Sequence, residues 1–247
     1  MSAKATICVL ACLLVVWLAQ YEGGSLSAYQ LAYQQAKDNP NISLLPIPLP
    51  NTRLAELDGA RFERLGLSFE APWKIIVKET DRPGGTYLEF AQGRVSIVDR
   101  SAILSKSLSG RTRAIKKPIV TELSSKSAYD RMADELRATP TQVKWWGTRR
   151  SNLRNMLLLE MKSTDVGYRR TALYSIHFGG WWGFQFGDPG VAPFGVKFEL
   201  FDEHDRNLEV FLSGFARDCP ALSQAQVNAF VNSIRPLPLT SGSTSPN

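Results

Sequence analysis

Residues 172–186 read ALYSIHFGGWWGFQF, and residues 196–212 read VKFELFDEHDRNLEVFL. Alternation with period 2 marks strands, because successive side chains point to opposite faces of a sheet. Val196, Phe198 and Leu200 alternate with Lys197 and Glu199, and Leu208, Val210 and Leu212 repeat the pattern after the polar run from Asp202 to Asn207. This predicts a hairpin with one buried face. In the earlier stretch Ala172, Tyr174, Ile176 and Phe178 share one face, with Thr171, Ser175 and His177 on the other. Gly179 and Gly180 supply the positive φ of a tight turn. Trp182, Phe184 and Phe186 are then expected to continue the apolar face, which places Trp182 in the core and leaves Trp181 as an exposed aromatic beside Gln185. Upstream, Met156 to Lys162 is a strand candidate, ended by a turn at Asp165–Val166–Gly167.

A sheet with one apolar face needs a cover. Ser223 is an N-cap, Gln226 completes a capping box, and Leu222 and Val227 stand at the two ends of a hydrophobic staple. Val227, Phe230, Val231 and Ile234 follow helical spacing, and Pro236 stops the helix.

Working outward, the chain has 247 residues, 44% apolar and 21% charged, which is an ordinary globular composition with enough length to bury a core without disulfides. Of three cysteines, Cys8 and Cys12 lie in the N-terminal apolar run, so Cys219 stands alone in the remainder. That excludes a disulfide framework and a cysteine-based zinc site. A net charge of +6 and a pI near 9.3 favour anionic partners or an anionic membrane surface.

Residues 1–24 read as a signal peptide or a signal-anchor helix. Lys4 is the only charge before the apolar run from Ile7 to Ala19. That run fits a signal core of about 7–15 residues and is short for a span, which takes about 20 residues. The nearest small-x-small cleavage pattern is Ser25–Leu26–Ser27, and a lipoprotein reading at Cys12 conflicts with the apolar run continuing to Leu18. On either reading the remainder is exported, and is membrane-anchored, periplasmic or extracellular. Residues 25–60 hold a short helix, Ser25 to Asp38, and a Pro-rich linker that contains the glycosylation pattern Asn41–Ile42–Ser43.

Residues 61–236 are expected to form one α+β domain, an antiparallel sheet packed by two or more helices. Strands are expected at Leu67 to Glu70 and Trp73 to Glu79, a turn at Asp81 to Gly85, and a hairpin of Tyr87 to Phe90 with Arg94 to Val98. Ser127 to Ala138 reads as a helix with Tyr129, Met132, Ala133 and Leu136 on its apolar side. Residues 237–247 read as a disordered tail.

The order of these elements, with the segment GLSFEAPW (Gly66 to Trp73) early and FVNSI (Phe230 to Ile234) closing the last helix, resembles the PsbP-like group. That group includes an extrinsic photosystem subunit and bacterial exported lipoproteins. The resemblance covers residues 61–236. It rests on an apolar strand leading into Pro72–Trp73 and on the end of the final helix, where the group's form is F-x-x-x-x-S-I/F and this chain has the shorter F-x-x-S-I at Phe230 to Ile234; the chain departs from it also by the added hairpin Val196 to Phe215. It implies a central antiparallel sheet packed by helices, usually without catalysis, and it transfers no functional residue.

Two acid-free basic runs are the candidate binding surface. One holds Arg100, Lys106, Arg111, Arg113, Lys116 and Lys117; the other holds Lys144, Arg149, Arg150 and Arg154 and encloses Trp145–Trp146. Tryptophan beside cations suits a membrane interface, a sugar ring or a nucleic-acid base, and export disfavours nucleic acid. The expected partners are the membrane through an uncleaved N-terminal helix, and an anionic lipid, an envelope polymer or a protein. A solvated basic face with one tryptophan buried is the competing reading.

The chemistry-bearing candidates are weaker. His177 lies beside Ser175 on the polar side of its strand, and His204 lies in the turn Asp202–Glu203–His204–Asp205, which has metal-ligating residue types. No G-x-S-x-G marks a nucleophile for a triad using His177. Cys219 precedes the capped helix, where a helix N-terminus can lower a thiol's pKa; a plain packing or loop cysteine is the competing reading. Gly84–Gly85 and Gly179–Gly180 are turn glycines, too short for phosphate loops. No cofactor is expected. The function expected is therefore a non-catalytic, exported, membrane-associated accessory or binding domain. The alternative is a secreted hydrolase or metal-dependent enzyme using His177 or His204.

Overall fold

The computed structural model describes residue 13 and residues 25–101, 117–166, 172–189, 195–214 and 222–237. It is an α+β protein. Its chain divides into two compact units, Met1–Pro46 with Ser105–Thr171 and Ile47–Leu104 with Ala172–Asn247. The boundary at Pro46–Ile47 falls inside the Pro-rich stretch read as a linker.

In the described residues of the first unit are helices α1 (Ser25–Asp38), α2 (Lys117–Ser124), α3 (Ala128–Arg137) and α4 (Arg149–Val166), with 3₁₀ turns at Pro40–Ser43 and Pro140–Gln142. Its core includes Ala32, Ile42, Leu123, Val143, Leu158 and Leu159. Helix α3 begins as its sequence predicts, with the Ser127 hydroxyl accepting from the Asp130 N–H at 3.0 Å and Met132, Ala133 and Leu136 buried. The strand expected at Met156 to Lys162 is instead the middle of the 18-residue helix α4. Leucine, methionine, glutamate and lysine lose little side-chain freedom in a helix, and the run has no β-branched residue to favour a strand. Leu158, Leu159 and Lys162 are buried at helical spacing.

Lys162 is wholly buried, and its Nζ donates to the carbonyls of Leu44, Leu136 and Ala138 at 2.6, 2.8 and 2.8 Å. Two of these acceptors end α3, where orphan carbonyls attract a cation. Burial pushes the ammonium pKa down to about 8, and Glu135 opposes that shift.

The second unit is built on an eight-stranded sheet, β1 (Ile47–Pro48), β4 (Ile76–Arg82), β5 (Gly85–Phe90), β6 (Gly93–Asp99), β7 (Leu173–Phe178), β8 (Trp181–Phe186), β9 (Val196–Phe201) and β10 (Asn207–Gly214). The strand order is β1-β7-β8-β9-β10-β6-β5-β4. Neighbours are antiparallel except for the edge strand β1, which is parallel to β7. Strands β2 (Arg61–Arg64), β3 (Leu67–Glu70) and β11 (Arg235–Pro236) form a small second sheet in the order β11-β3-β2, and helix α5 spans Gln224–Ser233. One face of the large sheet, with Leu88, Ile97, Phe198, Leu200, Leu208 and Val210, shares a core with Phe69, Val227, Phe230 and Ile234. The capping box of α5 is present, with Ser223 and Gln226 bonding each other's backbone N–H. The Pro-rich linker is docked, since Ile42 is buried in the first unit and Leu49 in the second.

The two tryptophans of β8 are the reverse of the expectation. Trp181 is 1% exposed and donates its Nε1–H to the Ile234 carbonyl at 3.0 Å, while Trp182 is only half-buried. A two-residue turn pairs Phe178 with Trp181, so the core face passes from even-numbered to odd-numbered residues across Gly179–Gly180. Gln185 therefore also faces the core, where it is buried and donates to the Gly187 carbonyl and Gln224 Oε1. The second face is not simply solvated either, because Phe184, Phe186, Phe201 and Glu199 are all buried on it.

Among the described residues no helix is long and apolar enough to cross a membrane. The hydrophobic helix expected in residues 1–24 lies outside the described residues apart from Leu13. Of the tail, Leu237 is described, and its N–H donates to the Gly66 carbonyl at 2.8 Å.

Candidate anionic-surface site

The turn between the 3₁₀ segment Pro140–Gln142 and α4 carries Lys144, Trp145 and Trp146. Val143 anchors it from the N-terminal side, being fully buried. Asn152, 1% exposed on α4, clamps it: its Oδ1 accepts from the Lys144 N–H at 3.1 Å, and its Nδ2 donates to the Lys144 carbonyl at 2.6 Å. Asn155 adds a bond to the Gln142 carbonyl at 2.9 Å. A side chain at Gly147 would run into Asn152, so the clamp needs glycine there. Asparagine inside a helix is unfavourable unless its amide has other work. That oddity is the only sequence signal for Asn152, and sequence reasoning missed it.

The clamp leaves both indoles in solvent. Trp145 is 48% exposed and Trp146 67%, with ring centroids 5.2 Å apart and planes at 88°. This departs from a solvated basic face with one tryptophan buried. Lys144 Nζ sits 5.6 Å from the centre of the Trp146 ring. An open groove of about 460 Å³ runs beside Lys144, with Arg137, Gln142 and Asn155 also on its wall.

The cations around the pair are not equivalent. Arg149 is exposed and has no ion-pair partner among the described residues. Arg150 donates to Glu122 at 2.9 Å, and Arg154 bonds Glu122 at 3.3 Å and Asp134 at 2.8 Å. Hydrogen bonds from Arg150 and Arg154 hold the Glu122 carboxyl below the usual carboxylate range. The run is acid-free in sequence, but α2 and α3 bring acids to its far side. Among the described residues, the cations of this run without a carboxylate partner are therefore Lys144, beside the Trp146 ring, and Arg149 at the start of α4.

Most of the other basic run cannot be placed from the described residues. Lys106, Arg111, Arg113 and Lys116 lie outside the described residues, as does the side chain of Lys117 at the start of α2. Arg100 belongs to the sheet unit and enters a charge cluster there. Its Nη1 lies 3.3 Å from Glu199 and 2.8 Å from Glu209, and Lys197 Nζ lies 3.0 and 3.3 Å from the same two carboxylates. Glu199, expected on a solvated face, is fully buried within it and is tied to Asn207.

The histidines stand apart. His177 is exposed on β7 with its ring 6.4 Å from that of Trp182. His204 is 81% exposed in the β9–β10 turn, where Asp202 is engaged by the N–H groups of His204 and Arg206, both at 2.9 Å. Among the described residues no three of His, Cys, Asp and Glu gather as a metal ion would require. Cys219 lies outside the described residues. No family model, curated protein or solved structure matches this chain.

Proposed function

We propose that the chain is a non-catalytic, exported, membrane-associated binding domain, and that the turn from Lys144 to Arg150 is the surface it sets against anionic lipid. The observation that carries the reading is the exposed Trp145–Trp146 pair next to Lys144, whose backbone Asn152 clamps, with Arg149 following in sequence. Two exposed indoles are costly in bulk water. They are favourable at headgroup level, where the ring is half-desolvated and its N–H stays hydrogen-bonded. Each nearby cation adds roughly 1 kcal/mol of attraction to an anionic leaflet. The apolar run from Ile7 to Ala19 supports the same location, since a retained leader would hold the domain at a bilayer. The PsbP-like resemblance likewise implies a domain that is usually without catalysis.

Fluorescence of the full chain with vesicles carrying brominated acyl chains tests this. Phosphatidylglycerol vesicles should quench more than phosphatidylcholine vesicles, and the excess should vanish in a Trp145→Ala/Trp146→Ala double variant and shrink in Arg149→Glu. An excess that survives in both variants sinks the surface.

A further inference from the structure

The open face of the β4–β5–β6 end of the large sheet carries a second groove, in the sheet unit and independent of the tryptophan turn. It encloses about 490 Å³, within the range of small-ligand sites. Lys78, Thr80 and Arg82 line it from β4, because period 2 puts them on one face. Ladder register then arranges three rungs. Thr80, Tyr87 and Ser96 are directly opposed across β4, β5 and β6, which makes one row of three hydroxyls. On one side of it lies the Arg82–Gly85–Val98 rung, and on the other the rung headed by Lys78. Gly85 adds no side chain, so the floor drops between Arg82 and Val98.

These polar groups are unspent. Neither cation nor any of the three hydroxyls has a protein partner among the described residues. No acid is among the groove's lining residues. Asp81 is bonded to Thr86, Glu79 is bonded to Arg64, and Glu89, opposite Lys78 in the ladder, lies 4.0 Å from Arg94. The two free cations stand four residues apart on one strand, about 13 Å at roughly 3.3 Å per residue. The hydroxyls between them both donate and accept.

We propose that this groove binds an acidic oligosaccharide, whose charged groups meet Lys78 and Arg82 while its ring hydroxyls meet Thr80, Tyr87 and Ser96. Two separated cations with hydroxyls between them call for a ligand on which charge and hydroxyl alternate. A nucleic acid would want a free aromatic face, and the Tyr87 ring already has Arg94 5.4 Å from its centre. A lipid would want an apolar slot, and the groove's only apolar side chains are Pro83 and Val98.

Calorimetric titration of the full chain with an oligogalacturonide hexamer and with a heparin hexasaccharide tests this. Binding of either supports the groove; binding of the oligogalacturonide shows that carboxylates suffice, and binding of heparin alone, which carries both carboxylates and sulfates, shows that sulfate is needed. The neutral methyl ester of the first should bind at least tenfold more weakly. Lys78→Ala/Arg82→Ala should also weaken binding tenfold or more. Gly85→Val keeps every charge and fills the floor, with its Cβ at an ordinary 3.5 Å from its neighbours; with the fold checked by circular dichroism, binding should be lost. Lys74→Ala removes a cation that pairs with Asp58 outside the groove and should change nothing. The proposal is overturned if neither saccharide binds, if the methyl ester binds equally, if Lys74→Ala weakens binding as much as the double variant, or if Gly85→Val binds normally.

Discussion

Lys162 shows how much one side chain can hold. Three buried or part-buried carbonyls, Leu44 after the Pro40–Ser43 turn and Leu136 and Ala138 at the end of α3, accept from its ammonium. Replacing it by methionine keeps the stem but leaves those carbonyls without a donor. At about 1–3 kcal/mol for each unsatisfied buried group, a loss of roughly 3–5 kcal/mol in urea unfolding is expected. The same residue sets a pH signature. Its folded pKa of about 8 lies below the ordinary 10.5, so between these values the unfolded chain holds a proton that the folded chain has shed. Stability from this group therefore rises with pH across that window, by up to about 1.4 kcal/mol per pH unit, and is level below it. Urea titrations at pH 7.5, 9 and 10 should show the slope in the wild type and lack it in Lys162→Met.

At the scale of elements, α5 is the part whose start was legible residue by residue. Its Ser223–Gln226 box satisfies donors that no helical carbonyl can reach. Ser223→Ala should cost about 1 kcal/mol, read as a lower urea midpoint with an unchanged m-value. The edge strand β4 follows a different logic. Ile75, Ile76 and Val77 are exposed at or beside it, which invites pairing with another chain. Its next residues are Lys78, Glu79, Asp81 and Arg82. An antiparallel pairing of two such edges about residue 78 or 79 sets Lys78 against Lys78 or Glu79 against Glu79, so the charges work against self-association. Met156 to Lys162 reads as a strand although it lies inside α4, because Leu157, Leu158 and Leu159 are a short apolar run, and such a run has no period to measure.

On the scale of the whole molecule, each unit is assembled from distant stretches of chain. The sheet unit depends on the β6–β10 ladder, in which Ile97 faces Val210 and Val95 faces Leu212. These pairs close a loop of more than 100 residues, and such contacts form against a large entropy cost. Ile97 is fully buried in the core, so Ile97→Ala should cost about 2–5 kcal/mol. If the ladder closes late in folding, the substitution should speed unfolding much more than it slows refolding in stopped-flow fluorescence, and the opposite split would place the ladder in the folding nucleus.

What the sequence by itself determined is local. The caps of α3 and α5, the apolar stripes, and the hairpins at Gln92–Gly93 and after Phe201 depend on residues a few positions apart, and chain connectivity brings those together. The exposed tryptophan was legible as a pair beside cations in Lys144 to Arg150. The parity change at Gly179–Gly180 was also there to be read, because a two-residue turn always pairs positions of opposite parity. Only the tertiary structure decided the rest. That Arg150 and Arg154 are answered by Glu122 and Asp134, that Glu199 is buried, and that Thr80, Tyr87 and Ser96 form one row between two free cations all depend on which strands and helices become neighbours. Coulomb attraction and hydrogen bonding act across space, and nothing in the local order of residues records those distances.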